Sequence, residues 1–292
     1  MSPISNNQKN NLNKSLSSMD DTTFETDFFD PLKTVIHPTS IIGKNVILED
    51  GVKIGPFCTI IGNVIIGQGT RLHAYVTIGF PAQDTGTYES IGQIRIGKNC
   101  EIREFVTIHA SKKNTDPLLS NDTIIGNNCY IMSYAHVSHN CVLEDRVVLT
   151  NNAALAGFSY LEHDVRLMAN TGIHQYCKIG KYSVIAPFSG TRQDIPPFSL
   201  FNGLPAIFSG LNRIGMRRAG YDNKSIDALN TLTKIFYIQK LLLPELIEQA
   251  KNIGIFEYPV VQEFIHFVKY STRGVSRTSV MTKQDETNGK TD

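Results

Sequence analysis

Aliphatic residues recur at every sixth position along most of the chain. The first series is Ile36, Ile42, Leu48, Ile54, Ile60, Ile66, Leu72 and Ile78. It resumes at Ile96, Ile102 and Ile108, then runs unbroken from Ile125 through Val137, Leu155 and Ile173 to Ile185. Four places after each aliphatic comes a small or β-branched residue, such as Val46, Cys58, Val76, Ala135 or Ser159. A helix would repeat its apolar face at about 3.6 residues, and a two-sided strand would alternate at two without restarting at six. Six residues suit a short strand and a turn, and three such sides close a triangular coil of eighteen. Stacked coils, about 4.8 Å apart as hydrogen-bonded strands are, bury the aliphatics in one continuous column. The pattern predicts a mainly β protein, a parallel β-helix of about seven coils.

Two interruptions, at 80–91 and 110–122, read as loops extruded from corners, where repeat proteins often carry binding groups. The first contains Gln83, Asp84, Gly86 and Tyr88. The repeat ends at Asp194-Ile195-Pro196-Pro197, and a different texture follows. Ile226, Leu229, Leu232, Ile235 and Phe236 are spaced as on a helix face, with Asp222 or Asn223 as N-cap. Pro244 and Pro259 each suit a first helical turn. The expected organisation is a disordered tail over 1–30, the β-helix over 31–203, a C-terminal α-helical domain over 204–275 and a disordered tail over 276–292. The helical domain would cap an open end of the solenoid, whose strand edges otherwise stay exposed.

Composition narrows the function classes. Lys and Arg number 28 against 27 Asp and Glu, so the net charge is +1 and no basic face for nucleic acid is expected. Neither a signal-like apolar stretch nor a run long enough to span a membrane occurs, which points to a cytoplasmic protein with no stable membrane insertion. All five cysteines (Cys58, Cys100, Cys129, Cys141 and Cys177) fall in the small slot of a hexad. They are expected to be reduced, buried and structural.

Chemistry-bearing residues cluster in Ala135-His136-Val137-Ser138-His139-Asn140-Cys141. Neither histidine occupies the aliphatic or the small position, so both are expected to face outward. Imidazoles can supply a general base near neutral pH. They equally suit a surface or a contact between subunits. His109 and His174 also stand outside the aliphatic register. A zinc centre, as in β-helix carbonic anhydrases, would need three converging ligands and an open position, and the spacing singles out no third ligand beside His136 and His139.

Further motifs accompany the two-histidine segment: Asn151 to Gly157, Gly172-Ile173-His174-Gln175-Tyr176 and Asp194-Ile195-Pro196-Pro197-Phe198. Ile54 to Cys58, Glu101 to His109 and Ser271-Thr272-Arg273-Gly274 add to them. In this combination, over about residues 34 to 275, the chain resembles the acyl-carrier-protein-dependent UDP-N-acetylglucosamine O-acyltransferases of lipid A synthesis. The resemblance implies a left-handed β-helix, a homotrimer with sites between subunits, and no cofactor, since acyl carrier protein is itself a substrate. It implies transfer of a 3-hydroxyacyl chain to the sugar 3-hydroxyl, with His139 as general base and the Gly157 N–H facing the oxyanion. Gln83, Asp84, His136, His174, Gln175, Asn212 and Arg218 match substrate-binding positions. Pro187 falls near the position that limits acyl-chain length.

Four departures from the family pattern bear on the acceptor. Gly86 stands where a lysine is usual, Phe158 where a histidine is usual, Ala219 where an arginine is usual and Asn140 where an aspartate is commoner. They leave two other readings open. One is an N-acyltransferase acting on a 3-amino-sugar nucleotide. The other is a non-catalytic paralogue that binds sugar nucleotide or carrier protein.

Overall fold

The computed structural model describes residues 21–30, 33–86, 92–276 and 278. Strands β1 (Val35–Ile36) to β25 (Ile207–Leu211) form three sheets of ten, eight and seven strands. Apart from the antiparallel last pair, the named strands pair in parallel, and wherever no insertion intervenes the partners within the repeat lie eighteen residues apart, as Lys53 lies opposite Arg71 and Val148 opposite Arg166. This is the parallel β-helix that the period of six implies. Ile54, Ile60, Ile66 and Leu72 are fully buried in its interior. Ile36, Ile42 and Leu48 are only half-buried, because the first coil has a neighbour on one side alone. All five cysteines are buried free thiols, each packed as a small apolar group.

The corners explain a further regularity. The third residue after most of the buried aliphatics takes the left-handed conformation, with φ of 58° at Phe57, 62° at Tyr75, 61° at Phe105 and 64° at Tyr134. That region is costly for bulky side chains. Stacking offsets the cost, because these rings form one exposed column with centroids 5.0, 4.9 and 4.8 Å apart. Each stacked pair contributes about 0.5–1.5 kcal/mol beyond its burial.

The sheet runs beyond residue 203. β24 (Ser199–Asn202) turns back antiparallel to β25, so the last strand lies inside the segment that the sequence assigned to the helical part. The period-six reading misses it because a hairpin edge needs no hexad. The helices α2 (Arg213–Arg218), α3 (Asn223–Lys234), α4 (Leu243–Asn252) and α5 (Pro259–Tyr270) follow. Asp222 caps α3, its carboxylate accepting from the Ser225 N–H at 2.7 Å. Pro244 and Pro259 sit in the first turns of α4 and α5. The chain then returns to the β-helix at buried Asp194. Its carboxylate accepts from the Lys178 N–H and the Ser271 hydroxyl, both at 2.7 Å.

Residues 21–29, expected within a disordered tail, form helix α1 (Asp21–Phe29). The reason is non-local. The buried Lys53 ammonium donates to the carbonyls of Asp27, Asp30 and Lys33, placing a cation at the negative, C-terminal end of the helix. Phe28 is buried with its ring edge-on to His73, and Phe24 packs edge-on to His37. Residues 1–20 of that expected tail, and 277 and 279–292 of the C-terminal one, lie outside the described residues. Among the described residues no helix is long and apolar enough to cross a membrane.

Candidate active site

One corner of the triangular prism gathers most of the chemistry. The first insertion leaves β8 (Thr77–Ile78) and re-enters at β9 (Gln93–Ile96). The second leaves β11 (Thr107–Ile108), one coil along, and re-enters at β12 (Thr123–Ile125). Accordingly Thr77 pairs with Thr107, thirty residues on, and Thr107 with His136, twenty-nine on, instead of eighteen. In the next coil, between β14 (His136–Val137) and β15 (Val142–Leu143), His139 and Asn140 form that same corner. The coils above add Gly157 with Phe158, then Gln175 with Tyr176. The two loops and the histidine corner are therefore stacked neighbours.

His139 is buried, and its Nδ1 lies 2.9 Å from Asn140 Oδ1. The orientation of the Asn140 amide is fixed by its other partners. Oδ1 accepts from the Lys112 N–H at 3.0 Å, and Nδ2 donates to the carbonyls of Lys112 and Ser120 at 3.0 and 2.9 Å. An oxygen thus faces the ring, Nδ1 carries the hydrogen, and the lone pair of the neutral imidazole is on Nε2. The Cε1–Nε2 edge rests on the main chain of Gly157. A β-carbon there would lie 2.4 Å from Cε1 and 2.5 Å from Nε2, so only glycine fits against the ring. Burial lowers the pKa of His139, and the nearby Lys112 ammonium pushes it the same way, against the Asn140 bond and Asp84. His136 is pushed down to about 4 by burial, with His109 and His139 beside it. Its Nδ1 meets the Thr107 hydroxyl at 2.7 Å, and its ring is edge-on to His109. Among the described residues no cluster of three His, Cys, Asp or Glu side chains is arranged to hold a metal ion.

A cleft of about 1160 Å³ opens from this corner across the second sheet. Its floor is the outward column of β17 (Ala154–Leu155), β20 (Gly172–Ile173) and β23 (Gly190–Thr191). Ala154, Gly172 and Gly190 lie in register there, each a coil apart. A β-carbon added to Gly172 would meet nothing within 4 Å, so the trough is open at its middle. Leu204 closes the far end, with Cδ1 2.7 Å from where a Gly190 β-carbon would stand. The near end is polar, with Gln83, Asp84, Lys112, His136 and Ser138 around His139. The arrangement can hold a long apolar chain against a base at one end and hydroxyl-bearing groups beside it.

Gln83, Asp84, His136, His139, Gly157, His174 and Gln175 all line this one cleft. Asn212 and Arg218 do not. Asn212 caps α2, with Oδ1 accepting from the Gly215 N–H at 2.9 Å and Nδ2 donating to the Tyr182 carbonyl at 2.8 Å. Arg218 is exposed at the end of that helix. Pro187 is exposed and flanks the cleft through its neighbour Phe188. Tyr88, in the first loop, lies outside the described residues.

Comparison with known proteins decides the family. A curated protein of Thermodesulfovibrio yellowstonii, described as an acyl-(acyl-carrier-protein)–UDP-N-acetylglucosamine O-acyltransferase, is 36% identical over 263 residues. That match covers 83% of this chain and 99% of the relative. The chain belongs to the UDP-N-acetylglucosamine O-acyltransferase family. A Herminiimonas arsenicoxydans acyltransferase of the same description is 35% identical over 84% of this chain and all of its own length. The family model for domain 2 of UDP-N-acetylglucosamine O-acyltransferases matches residues 194–276, and bacterial transferase hexapeptide repeats match 45–79 and 122–157. Among solved structures, the Acinetobacter baumannii enzyme superposes with a TM-score of 0.73 at 31% identity, covering 82% of this chain and 98% of its own. The Francisella novicida UDP-N-acetylglucosamine acyltransferase gives 0.72 at 28%, covering 82% and 92%.

Within this acyltransferase family two departures gain a structural account. Phe158 sets its ring edge-on to His139, centroids 5.2 Å apart, and stacks on Tyr176 at 4.9 Å, so it walls the imidazole with apolar surface. No lysine follows Asp84 at position 86, yet a lysine reaches the carboxylate from elsewhere. Lys112 of the second loop pairs with Asp84, its ammonium 6.0 Å from the centre of the Phe158 ring. Sequence reasoning missed Lys112. The one signal was that its loop leaves the same corner as the Gln83–Asp84 loop, one coil later.

Proposed function

We propose that this acyltransferase moves a 3-hydroxyacyl chain from acyl carrier protein to the 3-hydroxyl of UDP-N-acetylglucosamine, the opening step of lipid A synthesis. His139 acts as the general base. The observation that carries this reading is the His139 ring held at Nδ1 by Asn140 and seated on Gly157 at the polar end of an apolar trough. A neutral Nε2 takes the proton of the sugar hydroxyl as its oxygen attacks the thioester carbonyl. The pantetheine thiolate leaves, and no covalent acyl-enzyme forms. The Gly157 N–H serves the oxyanion. It has no main-chain acceptor among the described residues, whereas Ala156 and Phe158 donate to Ile173 and His139. Other turns of this type also leave that N–H unbonded, so its position beside His139 is what marks it.

The acyl chain lies over Ala154, Gly172 and Gly190, and the sugar meets Gln83, Asp84 and His136. His174 and Gln175 border the thioester. Asn212 and Arg218 contact the nucleotide of a neighbouring subunit, the Arg218 guanidinium suiting phosphate, within a homotrimer. The setting is the cytoplasm, in keeping with five free thiols. Purified protein supplied with 3-hydroxyacyl carrier protein and UDP-N-acetylglucosamine should yield the 3-O-acylated sugar nucleotide by mass spectrometry. His139→Ala should lower turnover by about 10²–10⁴-fold, the usual contribution of a general base. Wild-type turnover in that variant sinks the base assignment. Sedimentation at three times the 32.5 kDa chain mass tests the trimer.

A further inference from the structure

The second insertion does more than cover a corner. Asn140 fastens it at two carbonyls and one N–H, and the same Asn140 oxygen meets the base. The loop therefore cannot shift without disturbing the bond that orients His139. From this anchored point the Lys112 side chain crosses to Asp84 of the first loop and forms an ion pair with it. Both partners are about one-third exposed and line the cleft. We propose that Lys112 is a positioning residue of the transfer reaction, an ammonium that ties the first loop to the base by holding the Asp84 carboxylate over the acceptor end of the cleft.

This rests on the reading of His139 as the base and extends it to the acceptor. A carboxylate aimed at the acceptor sugar must stay ionised and in place to accept from its hydroxyls. The Lys112 bond holds the Asp84 carboxyl below its usual range. The charged groups around His139 are Lys112 and Asp84 from the two loops, with the titratable imidazoles of His109 and His136 on the sheet side. Lys112 disfavours the imidazolium and Asp84 favours it, so the two members of one ion pair act on the base with opposite sign.

That opposition supplies the test. Steady-state transfer is followed across pH for wild type, Lys112→Met, Lys112→Arg, Asp84→Asn and His139→Gln, each first checked for an unchanged thermal melt. Loss of a charge-assisted hydrogen bond predicts that Lys112→Met raises the acceptor KM about tenfold. Removing the cation also exposes His139 to an unneutralised carboxylate, so the acid limb of kcat/KM should move to higher pH. Asp84→Asn should move that limb to lower pH, and Lys112→Arg should keep both KM and limb near wild type. A loop that is merely structural would damage all three variants alike and would not move the limb in opposite directions. If His139→Gln abolishes turnover while Lys112→Met keeps the wild-type KM and limb, the role of Lys112 is refuted and the base stands. If His139→Gln turns over normally, the base and the role of Lys112 fall together.

Discussion

Gly157→Ala tests the geometry of the site at a single carbon. The added methyl would stand 2.4 Å from His139 Cε1, 2.5 Å from Nε2 and 3.1 Å from Nδ1, whereas ordinary contact begins near 3.4 Å. The ring must therefore retreat by about 1 Å, and Asn140 cannot follow it, because three main-chain partners hold the amide. A displacement of about 1 Å at a reacting group costs on the order of 100-fold in rate. Crowding itself destabilises by about 1–3 kcal/mol, which at about 2–4 °C per kcal/mol lowers the melting temperature by several degrees without unfolding the chain. The assay pairs steady-state acyl transfer at saturating acceptor with a thermal melt. The expected result is a roughly 100-fold fall in kcat in a protein that still melts cooperatively. A variant with wild-type kcat would refute the claim that the ring position on Gly157 matters to turnover.

Other outcomes follow from the same structure. Burial is the largest cause holding His139 below its ordinary pKa, and the unprotonated base persists at any pH above that lowered value. The acid limb of kcat/KM should accordingly lie below about 6.5, and a limb at or above it would contradict the buried, neutral imidazole. Leu204→Ala opens the far end of the trough and should raise acceptance of longer acyl chains about tenfold relative to shorter ones; an unchanged product profile by mass spectrometry would place the chain elsewhere. Lys53→Met removes the ammonium that donates to the carbonyls of Asp27, Asp30 and Lys33, a loss of about 1.5–3 kcal/mol as for hydrogen bonds to a charged group. Limited proteolysis should then cut within 21–30 while the β-helix resists, and equal protection of α1 in variant and wild type would dismiss the ammonium as its anchor.

The β-helix was legible because a single physical demand, one inward aliphatic per side, repeats along the chain. Ile54 and Leu149 sit where the period puts them, fully buried. The histidine corner was legible through resemblance and through its place outside the aliphatic register. What escaped depends on contacts that no local pattern announces. α1 exists because Lys53, twenty or more residues away, reaches its carbonyls. β25 pairs as a hairpin edge. Lys112 sits in a loop with no period at all, and its partner Asp84 is supplied by the coil below. The resemblance marked the glycine at 157 for its N–H, and the structure adds a cause for glycine itself, the His139 ring seated against it.

The stacked insertions bear on how such a site can arise. In an uninterrupted coil a strand closes on a partner only eighteen residues away, and the two loops lengthen that closure to thirty and twenty-nine. Closure entropy grows as the logarithm of length, so each insertion costs only about 0.5 kcal/mol. A fold assembled from such short closures can accept a new loop at almost any corner with little thermodynamic penalty. Two loops accepted at the same corner of successive coils are brought face to face by the repeat itself. An ion pair such as that of Lys112 and Asp84 can then form between segments that share no local sequence relationship.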